Sequence, residues 1–268
     1  ASDISFFRLH STYYQDMNVD YDSAIKCLKQ AFQITRSNGA VNFFLGLLLD
    51  YKREESNAEN YFSLIQEHDS EFHGYLDSWS WIKSFSVDYP KLYWQKNDGF
   101  NYAFESATTE GLILEFGVAS GVSIRELASM TEQEIHGFDS FKGLPESWME
   151  LPKGTFNLNG KPPSAPEHVN FHVGLFTETL PKFLNKYNGP VKFLNIDCDL
   201  YTSTKTIFEF LESRIIPGTI IFFDEYLGYP GWRNQEFKAF QEAVERNDWR
   251  YEYLAINIFK QQSIVKIL

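Results

Sequence analysis

Two short apolar runs in this chain end in acids. "NIDCDLY" carries Asp197 and Asp199, and "FFDEY" carries Asp224 and Glu225. Each run reads as a buried strand, so the four carboxylates are expected at one carboxyl-terminal edge of a sheet. Like charges gathered away from water are costly unless protons or a cation neutralise them, and hard oxygen donors in this number suit magnesium, calcium or manganese rather than zinc. A further acid, Glu115, leads into the turn "FGVASG", where Gly117 and Gly121 bracket the small residues Ala119 and Ser120. Side chains this slim let a ligand lie on backbone amides at the start of a helix beginning near Val122. Asp139 ends the next strand, 24 residues after Glu115. That is about the distance at which a carboxylate accepts hydrogen bonds from both hydroxyls of a ribose.

The turn is not the dinucleotide fingerprint G-x-G-x-x-G, whose second glycine is missing, so pyrophosphate binding is disfavoured. Glu115, Gly117, Ala119 and Gly121 instead resemble the acid-x-Gly-x-Gly-x-Gly motif of class I S-adenosylmethionine-dependent methyltransferases, with alanine at the middle glycine. From about Asn101 to the C-terminus the likeness narrows. "LILEFGVASGVSIRELA", "GFDSFKGLPESW", "VGLFTETLP" and "IDCDLYTSTKTIFEFL…PGTIIFFDEY" resemble, in that order, the macrocin-type sugar O-methyltransferases of antibiotic biosynthesis. The resemblance implies that the methionine end of the cofactor lies against Glu115, Gly117, Ser120, Gly121, Val122 and Ser123, with Asp197 close by. It implies the ribose on Asp139, and the adenine near Ser140, Phe141, Gly174 and Phe176. It further implies magnesium, or another divalent cation, held by Asp197, Asp224 and Glu225. Metal-bound hydroxyls deprotonate more readily, and Asp197 is expected both to ligate the metal and to receive the proton as catalytic base. Glu225 departs from the family, which usually has Asp-Asp or Asp-Asn at that pair.

The elements that must position these residues are legible as alternating patterns. "LILEFGV", "EIHGFDS", "NFHVG", "VKFLNID", "GTIIFFDEY", "YEYLAIN" and "SIVKIL" read as strands, most of them covered on both faces. Helical patterns lie between them in "VSIRELASM", "TETLPKFLNKY", "TSTKTIFEFLESRI" and "NQEFKAFQEAVERN". An α/β fold follows: a seven-stranded, mainly parallel, Rossmann-like sheet with helices on both faces, closed by an antiparallel pair. Residues 1–88 lack strand signals and form a predicted all-helical region, with 89–268 as the methyltransferase domain. Ala24 and Ala58, Leu28 and Phe62, and Ala40 and Gly74 are each 34 residues apart. That is the tetratricopeptide period, and Leu45, Gly46, Ala58 and Phe62 resemble its packing positions, although Asn42 and Ser70 replace the usual tryptophan and proline.

A net charge of −12 with no block of Lys or Arg lacks the footprint of a nucleic-acid binder. Cys27 and Cys198 are far apart and not in a ligand spacing, which suits a reducing, cytoplasmic setting. "FFLGLLL" and "TIIFF", the longest apolar runs, are far short of the roughly 20 residues that span a bilayer, and the opening residues do not read as a signal peptide. "GYPGW", after the acid pair, is expected to wall an acceptor pocket. His136 and His172 read as structural. The expected activity is an O-methyltransferase acting on a small polar acceptor, a sugar or glycosylated metabolite, with self-association or a protein partner through the N-terminal helices. Its rivals are a metal-independent methyltransferase on another acceptor and a helical-repeat scaffold with a vestigial methyltransferase fold.

Overall fold

The computed structural model describes residues 20–66, 69–85 and 88–268. Residues 1–19 of the predicted helical region lie outside them. Helix α1 (Tyr21–Ile34) opens where Asp20 accepts the Ser23 N–H at 3.0 Å, and α2 (Gly39–Tyr51) where Asn38 accepts that of Val41 at 2.9 Å. The run "FFLGLLL" lies inside α2, which is buried nearly all round because α1, α3 (Glu55–Phe62) and α4 (Ser70–Phe85) pack about it. A Cβ on Gly46 would fall 2.5 Å from the Phe62 ring, so the α2–α3 hairpin closes only because this residue is glycine. No helix among the described residues is long and apolar enough to cross a membrane.

The sheet has eight strands, not seven. All seven expected strands are present: β2 (Leu112–Phe116), β3 (Ile135–Asp139), β4 (Val169–Val173), β5 (Val191–Ile196), β6 (Ile220–Phe223), β7 (Tyr251–Asn257) and β8 (Gln262–Ile267). The eighth, β1 (Lys91–Leu92), pairs parallel with β7 at the edge, and two residues are too few to leave a periodic signal. Strand order is β1-β7-β8-β6-β5-β2-β3-β4, with β8 antiparallel to both neighbours. The remaining helices are α5 (Lys96–Ser106), α6 (Val122–Ala128), α7 (Phe176–Lys186), α8 (Tyr201–Leu211) and α9 (Glu236–Asn247).

Alternation along β2 sorts the core into two layers. Leu114 and Phe116 join the larger core, shared with α1–α4 and α7–α9. Ile113 joins a smaller core with Phe100 of α5 and Ile124 of α6. The N-terminal helices are thus continuous with the larger core of the sheet domain. Chain direction across the sheet reverses between β2 and β5, which makes the carboxyl ends of these two strands the expected ligand crevice.

Candidate active site

Ladder hydrogen bonds carry each strand end into the crevice. The Gly117 N–H reaches the Phe138 carbonyl at 3.0 Å, the Asp197 N–H reaches that of Phe116 at 2.9 Å, and the Asp224 N–H reaches that of Ile196 at 2.9 Å. Residues far apart in sequence are thereby stacked side by side at the ends of β2, β5 and β6. Gly117 has φ +90°, and a Cβ there would fall 1.6 Å from the Asp197 carbonyl oxygen. Only glycine lets β2 turn away this close to β5. The cleft that opens here has a volume of about 360 Å³, within the usual range for small-molecule sites.

Gly117, Ser120, Val122, Ser123, Asp139, Ser140, Gly174, Phe176 and Asp197 all line this cleft. Asp139 ties its walls together: one oxygen accepts the Ala119 N–H at 2.8 Å and the other the Phe141 N–H at 2.7 Å. A carboxylate has about four acceptor positions, so two remain for a ligand's hydroxyls.

Three predicted contacts lie elsewhere. Glu115 is fully buried behind the turn, accepting hydrogen bonds from Ser123 Oγ at 2.9 Å and Asn195 Nδ2 at 3.1 Å. It braces the cradle from below. Burial pushes its carboxyl up to about 7, against the opposing pull of those two donors. Gly121 is the N-cap of α6 with φ +77°, and its open side faces Arg125 and Pro163. Phe141 is buried, edge-on to Phe171, and offers the site only its backbone N–H.

The acids do converge. Asp197, Asp224 and Glu225 each offer an oxygen within 4.8 Å of the others, a spacing that suits one divalent cation. The notch between the first two is filled, however. Lys96, the first residue of α5, places Nζ 3.0 Å from Asp197 Oδ2 and 2.7 Å from Asp224 Oδ1. Gln262 Nε2 also donates to Asp224 Oδ1, at 2.6 Å. Burial alone would lower the Lys96 ammonium, but the two aspartates outweigh it and hold the group charged, well above its ordinary range. Burial, with Asp224 beside it, pushes Asp197 well up. Burial likewise raises Glu225, Glu236 and Asp199, the last to about 6. Lys96 thus brings a positive charge to the cluster, and burial favours the neutral form of Asp197 and Glu225. The donor set matches a divalent cation in kind and number, but with Lys96 in place it does not accommodate one.

Lys96 lies outside the stretch that carries the family likeness, 101 residues before Asp197, and no spacing singles it out. Its only signal is the need of several acids for a counter-charge. Sequence reasoning also missed Leu144, Pro145, Trp148 and Phe156, which form one wall of the cleft. Val122, Phe156 and Leu175 are large apolar side chains about half-exposed at this cleft, as a surface awaiting a partly apolar ligand would be. "GYPGW" does not wall the cleft. Trp232 is buried, donating Nε1–H to Asp77 of α4 at 3.0 Å, because this segment is where the N-terminal helices dock.

His136 and His172 sit together on β3 and β4, their ring nitrogens 3.3 Å apart, away from the cleft. Burial lowers both to about 4, so they are neutral and structural.

Residues 114–226 match the protein family described as a methyltransferase domain. No curated protein sequence matches the chain. Among solved structures, the calicheamicin methyltransferase CalS11 superposes with a TM-score of 0.54 at 20% identity, covering 64% of this chain and 78% of its own. The O-methyltransferase NovP gives 0.48 at 20% identity, over 67% and 84%. The O-methyltransferase TomG from Streptomyces achromogenes gives 0.40 at 14%, over 79% and 96%. At such identities a likeness speaks to fold alone. Residues 114–226 are thus similar in sequence to a methyltransferase domain, and the fold around them is of the kind seen in the calicheamicin methyltransferase.

Proposed function

We propose that this chain transfers the methyl group of S-adenosylmethionine to a hydroxyl of a small polar acceptor, a sugar or glycosylated metabolite. The reading rests on one observation above the others: the Gly117 turn, the Asp139 carboxylate and Asp197 share a single cleft. The sugar acceptor is supported by the macrocin-type motifs and by the calicheamicin methyltransferase, whose apo structure is described as that of a TDP-rhamnose 3'-O-methyltransferase.

S-adenosylmethionine, when bound, supplies an electrophilic methyl carbon. The residues of the chain do the rest. Asp139 would hold the ribose, the slim turn from Gly117 to Ser120 would admit the amino-acid end, and Phe176 and Leu175 would lie by the base. Asp197 receives the acceptor's hydroxyl proton, while Lys96 keeps positive charge beside the oxygen that loses it. No divalent cation enters this reading, because Lys96 stands where it would bind.

Addition of S-adenosylhomocysteine is expected to raise the melting temperature, since a ligand that binds only the folded chain stabilises it by mass action. Asp139→Ala should remove most of that shift. Folded protein that gives no calorimetric signal with S-adenosylhomocysteine at about millimolar concentration would overturn the function. Mass spectrometry of extracts incubated with isotope-labelled methyl donor then identifies the acceptor.

A further inference from the structure

We propose that Lys96 is the resident cation of this active site, occupying the place the family resemblance assigns to magnesium, so that methyl transfer here requires no divalent metal. The proposal rests on the methyltransferase reading and deepens it.

The placement of Lys96 is built in. Its helix is fixed by Gly99, where a Cβ would fall 2.4 Å from the Tyr93 ring, and by Phe100, whose ring lies 4.5 Å from that of Phe222 on β6. Tyr93 and Phe100 are both buried. From this anchored turn the side chain runs to the cleft wall and ends between Asp197 and Asp224, with Nζ 5.5 Å from the Phe100 ring centre. Both contacts are of ordinary length for N–H···O hydrogen bonds. A metal ion at roughly 2.0–2.6 Å from the same two carboxylates would stand within about 4 Å of Nζ, two cations sharing one pair of anions. The two occupants exclude each other. The ammonium is covalently part of the chain and is present without any metal concentration to sustain it.

The chemistry closes without a metal. The acceptor oxygen forms the new O–CH3 bond, the S–CH3 bond breaks with its electron pair left on sulfur, and the hydroxyl proton passes to Asp197. Sulfur loses its positive charge as the acceptor oxygen loses its proton, and Lys96 remains to balance the Asp197–Asp224 pair.

The test uses Mn2+ as probe, read by the loss of its free electron-spin resonance signal and by calorimetry, with S-adenosylhomocysteine titrated separately. Wild-type protein is expected to bind no Mn2+ at about 1 mM, the weak end of carboxylate sites. Lys96→Met, which keeps the length and removes the charge, is expected to gain a Mn2+ site of about 0.1–1 mM. That site should vanish in Lys96→Met/Asp224→Asn. If Lys96→Met does not fold, Lys96→Gln carries the same test, since its amide retains a hydrogen bond to the carboxylates. Mn2+ binding to wild type that Asp224→Asn abolishes would overturn the proposal. A folded Lys96 variant that binds no Mn2+ would overturn it as well, because the notch would then not be a cation site in metal's stead. Failure of wild type to bind S-adenosylhomocysteine would instead overturn the methyltransferase reading, whatever the Mn2+ result.

Discussion

Gly117→Ala isolates the feature on which the cleft depends. Two costs add in this variant. A residue with a Cβ at left-handed φ costs about 1–2 kcal/mol. The new methyl would also lie 1.6 Å from the Asp197 carbonyl oxygen, so β2 and β5 must part by well over an ångström at the point where the Asp197 N–H bonds the Phe116 carbonyl at 2.9 Å. Overpacking of this kind costs about 1–3 kcal/mol, and loss of the ladder bond about 1 more. The sum is about 3–6 kcal/mol, or a fall of roughly 6–24 °C in melting temperature for a chain of this size. Gly154 supplies the control, having φ +88° but no atom within 4 Å of a would-be Cβ. Gly154→Ala should therefore show only the dihedral cost. Thermal melts of the two variants by circular dichroism, with S-adenosylhomocysteine titrations, give the comparison. If Gly117→Ala melts no lower than Gly154→Ala and binds as wild type does, the close approach of the two strand ends is wrong.

Glu115 makes stability depend on pH. Its folded-state value of about 7 lies above the ordinary 4.5, so the folded chain keeps a proton that the unfolded chain releases. Its contribution is fully present below about 4.5 and is lost as pH rises to about 7; Glu115→Gln should gain up to about 3 kcal/mol on wild type over that window. Melting curves at several pH values that stay parallel for the two proteins would contradict this. Ser78→Ala strands the buried Gly228 N–H, now held at 2.7 Å by the serine oxygen, and should cost about 1–3 kcal/mol in urea unfolding. A variant as stable as wild type would show that this contact does not fasten the helices.

What the sequence makes legible is what repeats or is local. The strands from β2 to β8 carry periodic apolar runs, and the turn after Glu115 has a composition that few other roles require. Glu115 itself shows the limit. An acid two residues before the glycine is visible, but which face of β2 it occupies decides between cleft and underside, and pairing with β3 and β5 settles that. Phe141 is the same case: its backbone serves Asp139 while its ring turns to Phe171. Trp232 follows a turn after the acid pair, yet its indole is claimed by Asp77, 155 residues away. Lys96 is the largest omission, since its partners come from the ends of β5 and β6, and a lone lysine among aromatics announces no chemistry. Each miss is a long-range pairing with no local trace.

That same long-range logic ties the N-terminal helices to the active site. On α4, Ser78 holds the Gly228 N–H, and Gly74 admits the Tyr229 backbone so closely that a Cβ would fall 2.9 Å from its carbonyl carbon. Asp77 takes Trp232 and, through both its oxygens, the Arg233 guanidinium at 2.8 and 3.0 Å. Farther along the helix, Trp81 donates to the Tyr253 hydroxyl of β7 at 3.0 Å. All but the last of these contacts fall on the segment that begins immediately after β6 with Asp224 and Glu225, and Tyr229 in turn donates its hydroxyl to the Glu225 carbonyl at 3.1 Å. Asp224 itself is held by the bond from its N–H to the Ile196 carbonyl and by Gln262, and α4 braces the glycine- and proline-containing segment that follows it. Gripped by α4, it presents Asp224 to Lys96 from one side while α5 presents Lys96 from the other. What the helical region buries is thus the back of the loop whose front holds the acids.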